Sequence, residues 1–410
     1  MGFFYTYFIA PILWLLFKIG ALFFAEFKSR EKVIFEFAKK KSIIPANQKV
    51  LWVHAASMGE FEQAKPIIEY IRSKEKQLSI LVTFFSPSGY DNQKNYPFAD
   101  VITYIPIDTI CGMEQFILKV HPDVVVFIRY EIWPNLLQLL SAKSIPYFYV
   151  NATFPNSWFW ESIGRSFLKK LLSNAEGIYA VNEQNFDKFT QLIESSNVHR
   201  SADTRIDRII EKVRTYEVER WYTLPQKPTL VLGSSWKDEE MLLHSISSDL
   251  LDKFHCIIVP HKPDNATIER LQGVFPNSVL LSQLRQEEIV DNQIVIVDTV
   301  GKLLSLYSIA SVAFVGGGFG RCVHSTAEAI AYGIPTFCGP NVSSSPDATT
   351  FQRAGVLCIV RNKVEVETML LKVLTEKEWI ELNRNRIEEI FQPSIGESQR
   401  IGEIIRSFLH

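Results

Sequence analysis

Two stretches of this sequence place a carboxylate where a proton can be exchanged. In His54-Ala55-Ala56-Ser57-Met58-Gly59-Glu60, a hydroxyl and a carboxylate stand three residues apart, directly after the apolar run 50–53. At a helix start that spacing is a capping box, which by itself accounts for both Ser57 and Glu60. The same carboxylate, near the positive end of a helix, is expected to be ionised at pH 7 and able to accept a proton. The second stretch, Arg129-Tyr130-Glu131-Ile132-Trp133-Pro134-Asn135, sets charges at the end of another apolar run, which is unlike a core. Its Trp133 and Pro134 serve equally well to open a helix with proline in the first position and to cover a core.

A second group of motifs lies in the other half of the chain. Gly233-Ser234-Ser235-Trp236 leads into Lys237-Asp238-Glu239-Glu240, Pro260-His261-Lys262-Pro263 follows the next apolar run, and Gly316-Gly317-Gly318-Phe319-Gly320-Arg321 follows a later one. Glycines let a backbone approach a phosphate, and a helix N-terminus stabilises its charge. The loop is not G-x-G-x-x-G, because Arg321 stands where the third glycine falls, and its late position argues against a nicotinamide dehydrogenase. In His324-Ser325-Thr326-Ala327-Glu328, the carboxylate either caps a helix with Ser325 or accepts hydrogen bonds from a ribose diol. No D-x-D triplet, H-E-x-x-H or G-x-x-x-x-G-K-[ST] occurs. Neither a metal nor another cofactor is expected, and phosphoryl transfer from ATP is disfavoured.

These motifs need loops at one edge of a sheet, and the rest of the sequence supplies the sheets. Short runs rich in Val, Ile and Phe alternate with amphipathic stretches, which predicts repeated βαβ units. The expected strands are 50–53, 78–85, 101–105, 124–128, 146–150 and 177–181, then 230–233, 255–259, 278–281, 294–297, 312–315 and 335–338. The fold class is therefore α/β, with two doubly wound domains whose ligands bind outside the carboxyl ends of the strands. The expected divisions are an anchor and basic linker (1–45), a first domain (46–208), a charged linker (209–228), a second domain (229–375) and closing helices (376–410) that pack back on the first domain.

The run Phe3 to Phe24 is apolar apart from Lys18 and, as a helix at about 1.5 Å per residue, just spans roughly 30 Å of hydrocarbon. It predicts a tether to a membrane surface, either spanning or lying in the interface. Lys28, Arg30, Lys32 and Lys39 to Lys41 then place the following domains on the cytoplasmic side. Lys plus Arg (43) nearly equals Asp plus Glu (45), so no overall field draws the molecule to nucleic acid. Five cysteines without a C-x-x-C fit reduced thiols rather than a disulfide frame.

Taken together, H-A-x-S-x-G-E at His54 to Glu60, E-I-W-P-N at Glu131 to Asn135 and D-T-x-G at Asp298 to Gly301 resemble the bacterial Kdo transferase family. V-G-G with H-x-x-x-E at Val315 to Glu328 and A-Y-G-I-P-x-x-x-G-P at Ala331 to Pro340 add to the resemblance, which covers nearly the whole chain. It implies two Rossmann-like domains in the GT-B arrangement, facing each other across a cleft. It also implies transfer of 3-deoxy-manno-octulosonic acid (Kdo) from CMP-Kdo to a lipid A precursor at the cytoplasmic face of the inner membrane. Position by position, the resemblance makes Glu60 the base and Glu328 the partner of the nucleotide ribose. Ser57, Gly59, Arg129 and Glu131 fall on the acceptor side. Arg205, Ser234, Ser235, Pro260, His261, Lys262, Gly316, Gly317, Gly318, Phe319 and Ser325 join Glu328 on the donor side.

Several positions depart from the family pattern. Arg129 replaces the first Glu of E-x-E, Lys262 follows His261 where P-R-H-P is usual, and Ser325, Thr326 and Ala327 interrupt H-N-P-L-E. Lys302 replaces the acid after D-T-x-G, Thr153 ends what is usually N-A-R, and Ala202 to Asp207 replaces G-N-x-K-F-D. The alternatives are a GT-B transferase for another nucleotide sugar and a non-catalytic member that binds lipid or nucleotide.

Overall fold

The computed structural model describes residues 2–40, 44–45, 47–155, 164–193, 196–215, 226–285, 294–320, 322–343 and 345–410. Most of the central stretch of the expected linker, and Arg321, lie outside the described residues.

Two seven-stranded sheets form, with every strand pair parallel. The first comprises β1 (Val50–Ala55), β2 (Ser79–Phe84), β3 (Val101–Tyr104), β4 (Val124–Ile128), β5 (Tyr147–Ala152), β6 (Gly177–Ala180) and β7 (Val198–Arg200), in the order β3-β2-β1-β4-β5-β6-β7. The second comprises β8 (Thr229–Ser235), β9 (His255–Pro260), β10 (Val279–Leu280), β11 (Val295–Ile296), β12 (Val312–Val315), β13 (Thr336–Cys338) and β14 (Leu357–Ile359), in the order β10-β11-β9-β8-β12-β13-β14. In the first sheet the strand order reverses once, between β1 and β4; the second sheet has the equivalent switch between β8 and β12, with β10 lying outside β11 at one edge. The loops after those strands diverge there and leave a crevice at the carboxyl edge.

Both faces of the first sheet are buried, which explains its continuous apolar strands. Along β1, Val50 and Trp52 enter one core while Leu51, Val53 and Ala55 enter the other; along β4, Val125 and Phe127 oppose Val124, Val126 and Ile128. In the second sheet Leu230, Leu232, Ile258, Phe314 and Phe337 build one core with Val366 and Leu370 of the helix Lys363–Thr375.

The chain divides into two compact units, Met1–Arg208 with Pro393–His410, and Ile209–Gln392. The return to the first unit therefore begins at Pro393, and the helix Lys377–Phe391 stays with the second unit, where Ile387 and Phe391 are buried. Of the closing helices, it is the last, Glu397–Ser407, that completes the first core, through Ile401 and Ile405.

Among the described residues one helix, Gly2–Phe23, is long and apolar enough to cross a membrane, and 6% of its most apolar window is buried. Phe24 is extended, and the chain folds back as the helix Ala25–Lys39. Gly20 permits this close return, because a Cβ there would lie 2.6 Å from the Phe27 ring. Lys18 pairs with Glu31 of the returning helix, so its charge is partnered within the hairpin rather than left to snorkel alone. Arg30 is not a surface cation as the basic run suggests. It is 2% exposed, donates to the Ile105 carbonyl and lies over the rings of Phe17, Phe85 and Tyr104, and burial pushes its guanidinium down to about 10.

Candidate active site

The turn after β1 brings Glu60 into the first turn of the helix Met58–Lys74, where it closes a capping box with Ser57. Its Oε2 accepts from the N–H groups of Ala56 (2.6 Å) and Ser57 (3.2 Å). Those bonds and Arg129 favour the charged form, but burial and the neighbouring Glu131 outweigh them and push its pKa up to about 7. The sequence reading of a fully ionised group at pH 7 is thus corrected: the helix start cannot offset desolvation of a side chain that is 6% exposed. Gly59 is exposed, and a Cβ there would meet nothing within 4 Å, so packing does not require a glycine at this position.

Across the switch point, the loop after β4 supplies Arg129 and Glu131. Arg129 sits at φ +66°, a conformation that costs a non-glycine residue free energy and recurs at functional sites. Its Nε donates to Gln63 (3.0 Å), Gln63 donates to Asp203 (3.0 Å), and Asp203 accepts from Arg205 (3.1 Å). Arg205, expected with the donor residues, is therefore built into the first unit beside Arg129. The spacing of its motif carried no sign of the Gln63 and Asp203 links that join it to Arg129.

Glu131 Oε2 accepts from Trp133 Nε1 (3.1 Å) and faces His54 Nε2 at 3.5 Å. Thr83 Oγ1 accepts from Trp52 Nε1 (2.8 Å) and lies 2.9 Å from His54 Nδ1. With the Thr83 proton directed to Nδ1, the remaining imidazole proton belongs on Nε2, toward Glu131. Asn135 holds the loop together: its side chain and N–H bond Asp108, whose carboxylate also accepts from Leu136 and caps the helix Pro134–Ala142. A cavity of about 490 Å³ opens between this loop and the N-terminal helix, lined by Leu13, Phe17, Phe85, Glu131, Ile132 and Trp133 among others.

In the second unit the expected residues gather around β8 and β12, again at the switch point. Ser234 is at φ +53°, and Ser235 Oγ donates to Glu240 (2.8 Å), which also pairs with Arg270. The glycine loop serves packing more than it forms an open cradle. A Cβ on Gly316 would lie 2.3 Å from the Ser234 carbonyl, and one on Gly318 would lie 2.6 Å from the Gly339 nitrogen. Its donors are also engaged: Gly316 bonds the Gly233 carbonyl (2.8 Å), Gly320 bonds Gly317 (3.1 Å), and Phe319 N–H donates to the buried Glu239 (3.1 Å). The N–H groups of Gly316, Phe319 and Gly320 are thus already partnered within the unit.

Glu328 and Ser325 do not form a cap. Thr326 occupies the N-cap position of the helix Ala327–Ala331 without a side-chain bond, Ser325 is exposed, and Glu328 is half-buried with its pKa raised by burial, partly offset by Lys212. Pro260 ends β9, and His261 and Lys262 follow it at the exposed edge. Sequence reasoning missed a cluster here. The rings of Trp236 and His261 stack at 4.9 Å, those of His261 and His324 at 4.2 Å, and Trp236 Nε1 donates to His324 Nε2 at 2.8 Å. The available signal was an indole and two imidazoles, each in a loop after a strand.

Residues 28–208 match the family profile described as 3-deoxy-D-manno-octulosonic-acid transferase (kdotransferase). The 3-deoxy-D-manno-octulosonic acid transferase of Haemophilus influenzae is 24% identical over 88% of this chain and 87% of its own length. That of Chlamydophila psittaci is 26% identical over 82% and 80%. Among solved structures, the UDP-GlcNAc 2-epimerase of Neisseria meningitidis superposes with a TM-score of 0.56 at 15% identity, over 88% of this chain and 100% of that one. The MurG structure from Acinetobacter baumannii gives 0.54 at 13% identity, over 88% and 99%. These two likenesses establish the fold alone, two Rossmann-like domains of the GT-B class.

Proposed function

We propose, from the match of residues 28–208 to the 3-deoxy-D-manno-octulosonic-acid transferase profile and from the similar transferases over most of the chain, that this glycosyltransferase transfers Kdo from CMP-Kdo to a lipid A precursor at the cytoplasmic face of the inner membrane. The observation that carries the acceptor side is Glu60: a buried carboxylate with a pKa near 7, coupled electrostatically to Glu131, which lines a cavity walled by the apolar N-terminal helix. A general base works best when its pKa lies near the working pH.

In the proposed step the acceptor hydroxyl oxygen attacks the anomeric carbon of Kdo, its proton passes to Glu60, and the bond to the CMP phosphate breaks with its electron pair leaving on CMP. Glu131 keeps Glu60 basic by repulsion, while Arg129 limits that effect and offers a positive charge to the acceptor. Glu328 accepts from the ribose hydroxyls, a role open to a half-buried carboxylate that makes no cap. Lys262, exposed after β9, meets the charge developing on the phosphate, a contribution that acts on the transition state.

The test is mass spectrometry of a lipid A precursor incubated with the protein and CMP-Kdo, repeated with Glu60→Gln. Glutamine keeps a capping-box side chain but takes no proton, so turnover should fall by roughly 100-fold or more with donor affinity retained. Ser57→Ala, which loosens the cap and leaves the carboxylate, should cost stability more than turnover. Near-parental transfer by Glu60→Gln when chemistry limits the rate removes Glu60 as the base; no product from the parent protein removes the function.

A further inference from the structure

The N-terminal helix has two different apolar faces. Phe8, Ile12, Leu15, Leu16 and Ile19 are between 43% and 57% exposed, the pattern of a surface that lipid covers. Ala10, Leu13, Phe17 and Gly20 recur on the opposite stripe, where Ala10 and Gly20 are buried and the first three line the cavity described above. The helix is fixed in that orientation by polar bonds at its start: Tyr5 donates to Asp108 (3.0 Å) and Thr6 to Asn135. A π-helical segment, Tyr5–Ile9, occupies this docking point, and such segments recur at functional sites.

The far wall of the cavity belongs to the candidate active site. Phe85 packs against Phe17 (5.7 Å) and against Trp133 (5.5 Å), and Arg30 braces Phe17 and Phe85 from behind. Trp133 in turn meets the His54 ring edge-on at 5.5 Å and bonds Glu131. The space is therefore lined on one side by the lipid-facing helix and on another by the loop whose carboxylate perturbs Glu60, mostly by apolar side chains with Asp108 and Glu131 among them.

We infer that this cavity holds an acyl chain of the acceptor, so that the anchor helix forms part of the substrate site as well as the tether. The inference rests on the reading of the acceptor as a lipid and deepens it. A hydrocarbon chain suits the apolar walls, and its entry from the membrane needs no passage through water because one wall is the membrane-facing helix itself. Glu131 in the lining disfavours an anionic group beside it and suits a hydroxyl-bearing sugar. Chain length and attachment are then read by the enzyme at a point distant from the sugar, where binding energy can be used to orient the attacking hydroxyl.

The experiment uses the full chain and two soluble acceptors, a short-chain acylated glucosamine disaccharide and the same disaccharide with its acyl chains removed. The parent protein should show a KM for the acylated acceptor lower by about 10-fold or more, the scale expected from burying a few methylene groups. Ala10→Phe and Leu13→Trp fill the cavity from the helix side. Both should raise the acylated KM toward that of the deacylated acceptor while leaving the KM for CMP-Kdo and turnover on the deacylated acceptor unchanged. Leu16→Phe, on the outer face, should change none of these. Equal KM values for the two acceptors in the parent, or cavity-filling variants with an unchanged acylated KM, overturn the inference alone. Failure of the parent to glycosylate either acceptor overturns the proposed function and this inference with it.

Discussion

At the scale of single residues, the arrangement turns on two carboxylates of unequal standing. Glu60 is held near neutrality by burial first and by Glu131 second, against the pull of Arg129 and two backbone N–H groups. Only the deprotonated form accepts a proton, so turnover at saturating substrates should fall about tenfold per pH unit below about 7. Glu131→Gln removes a negative neighbour and should move that acid limb to lower pH; Arg129→Ala removes a positive one and should move it higher. A pH–rate profile of the three proteins checks both directions, and a limb that stays put in both variants assigns it to another group. Stability follows the opposite trend from activity. The folded value lies above the ordinary 4.5, so the native state holds the proton longer, and stability falls as pH rises from about 4.5 to about 7. In the second unit, Glu328 has no cap to lose. Glu328→Gln should weaken competition by CMP while leaving the melting temperature nearly unchanged, and equal CMP affinity in both proteins would free Glu328 from the donor site.

Among the elements, the N-terminal hairpin departs most from what its sequence suggests. Composition reads the apolar run as separable from the βαβ pattern. In the folded chain Tyr5 and Thr6 bond Asp108 and Asn135, and Phe17 is one of three rings over the buried Arg30 guanidinium. Deleting residues 1–24 should release the protein from membranes, as the exposed outer face implies. It should also raise the acceptor KM, because Arg30 and the Phe85 wall lose their cover, while CMP affinity is kept. Fractionation together with the two binding measurements tests this, and an acceptor KM unchanged by the deletion would make the helix a tether and nothing more. The same contrast explains how much of the fold and site was legible. β1 and β4 read clearly because burial on both faces makes them apolar throughout, apart from the buried His54. β7 and β14 escaped because they are three-residue edge strands, and in β7 only Val198 is buried. Ser57, Glu60, Arg129 and Glu131 were legible because their loops lie next to strands that any reading places together at the switch point. The packing role of the glycine loop was not legible because its close approach to Gly339, and Glu239's hold on the Phe319 N–H, are set by residues outside the motif. The Trp236, His261 and His324 stack was invisible for the same reason, since three separate loops build it.

At the scale of the whole molecule, the chain crosses between units twice, and the second crossing makes the first unit depend on residues Pro393–His410. Ile401, Ile405 and Leu409 fill one face of the first core, Gly402 passes so close to Tyr70 that a Cβ would lie 2.6 Å from its ring, and Asp207 accepts from the N–H groups of Gly396 (2.9 Å) and Ser398 (3.0 Å). The second unit closes its own core with the helices Lys363–Thr375 and Lys377–Phe391. A change in the final helix should therefore act on one unit. Ile405→Ala removes a fully buried side chain and should cost about 2 to 5 kcal/mol in the first unit. Chains of two domains need not unfold in one step, so calorimetry should show the loss as a lowered transition for the first unit. A ligand that binds only the native state raises the melting temperature of the unit that holds it. Added CMP, if the second unit holds the nucleotide, should then shift the other transition, to the same extent in parent and variant. Should Ile405→Ala lower the CMP-responsive transition as much as the other, the two units unfold as one body, and the final helix stabilises the whole chain rather than the first core.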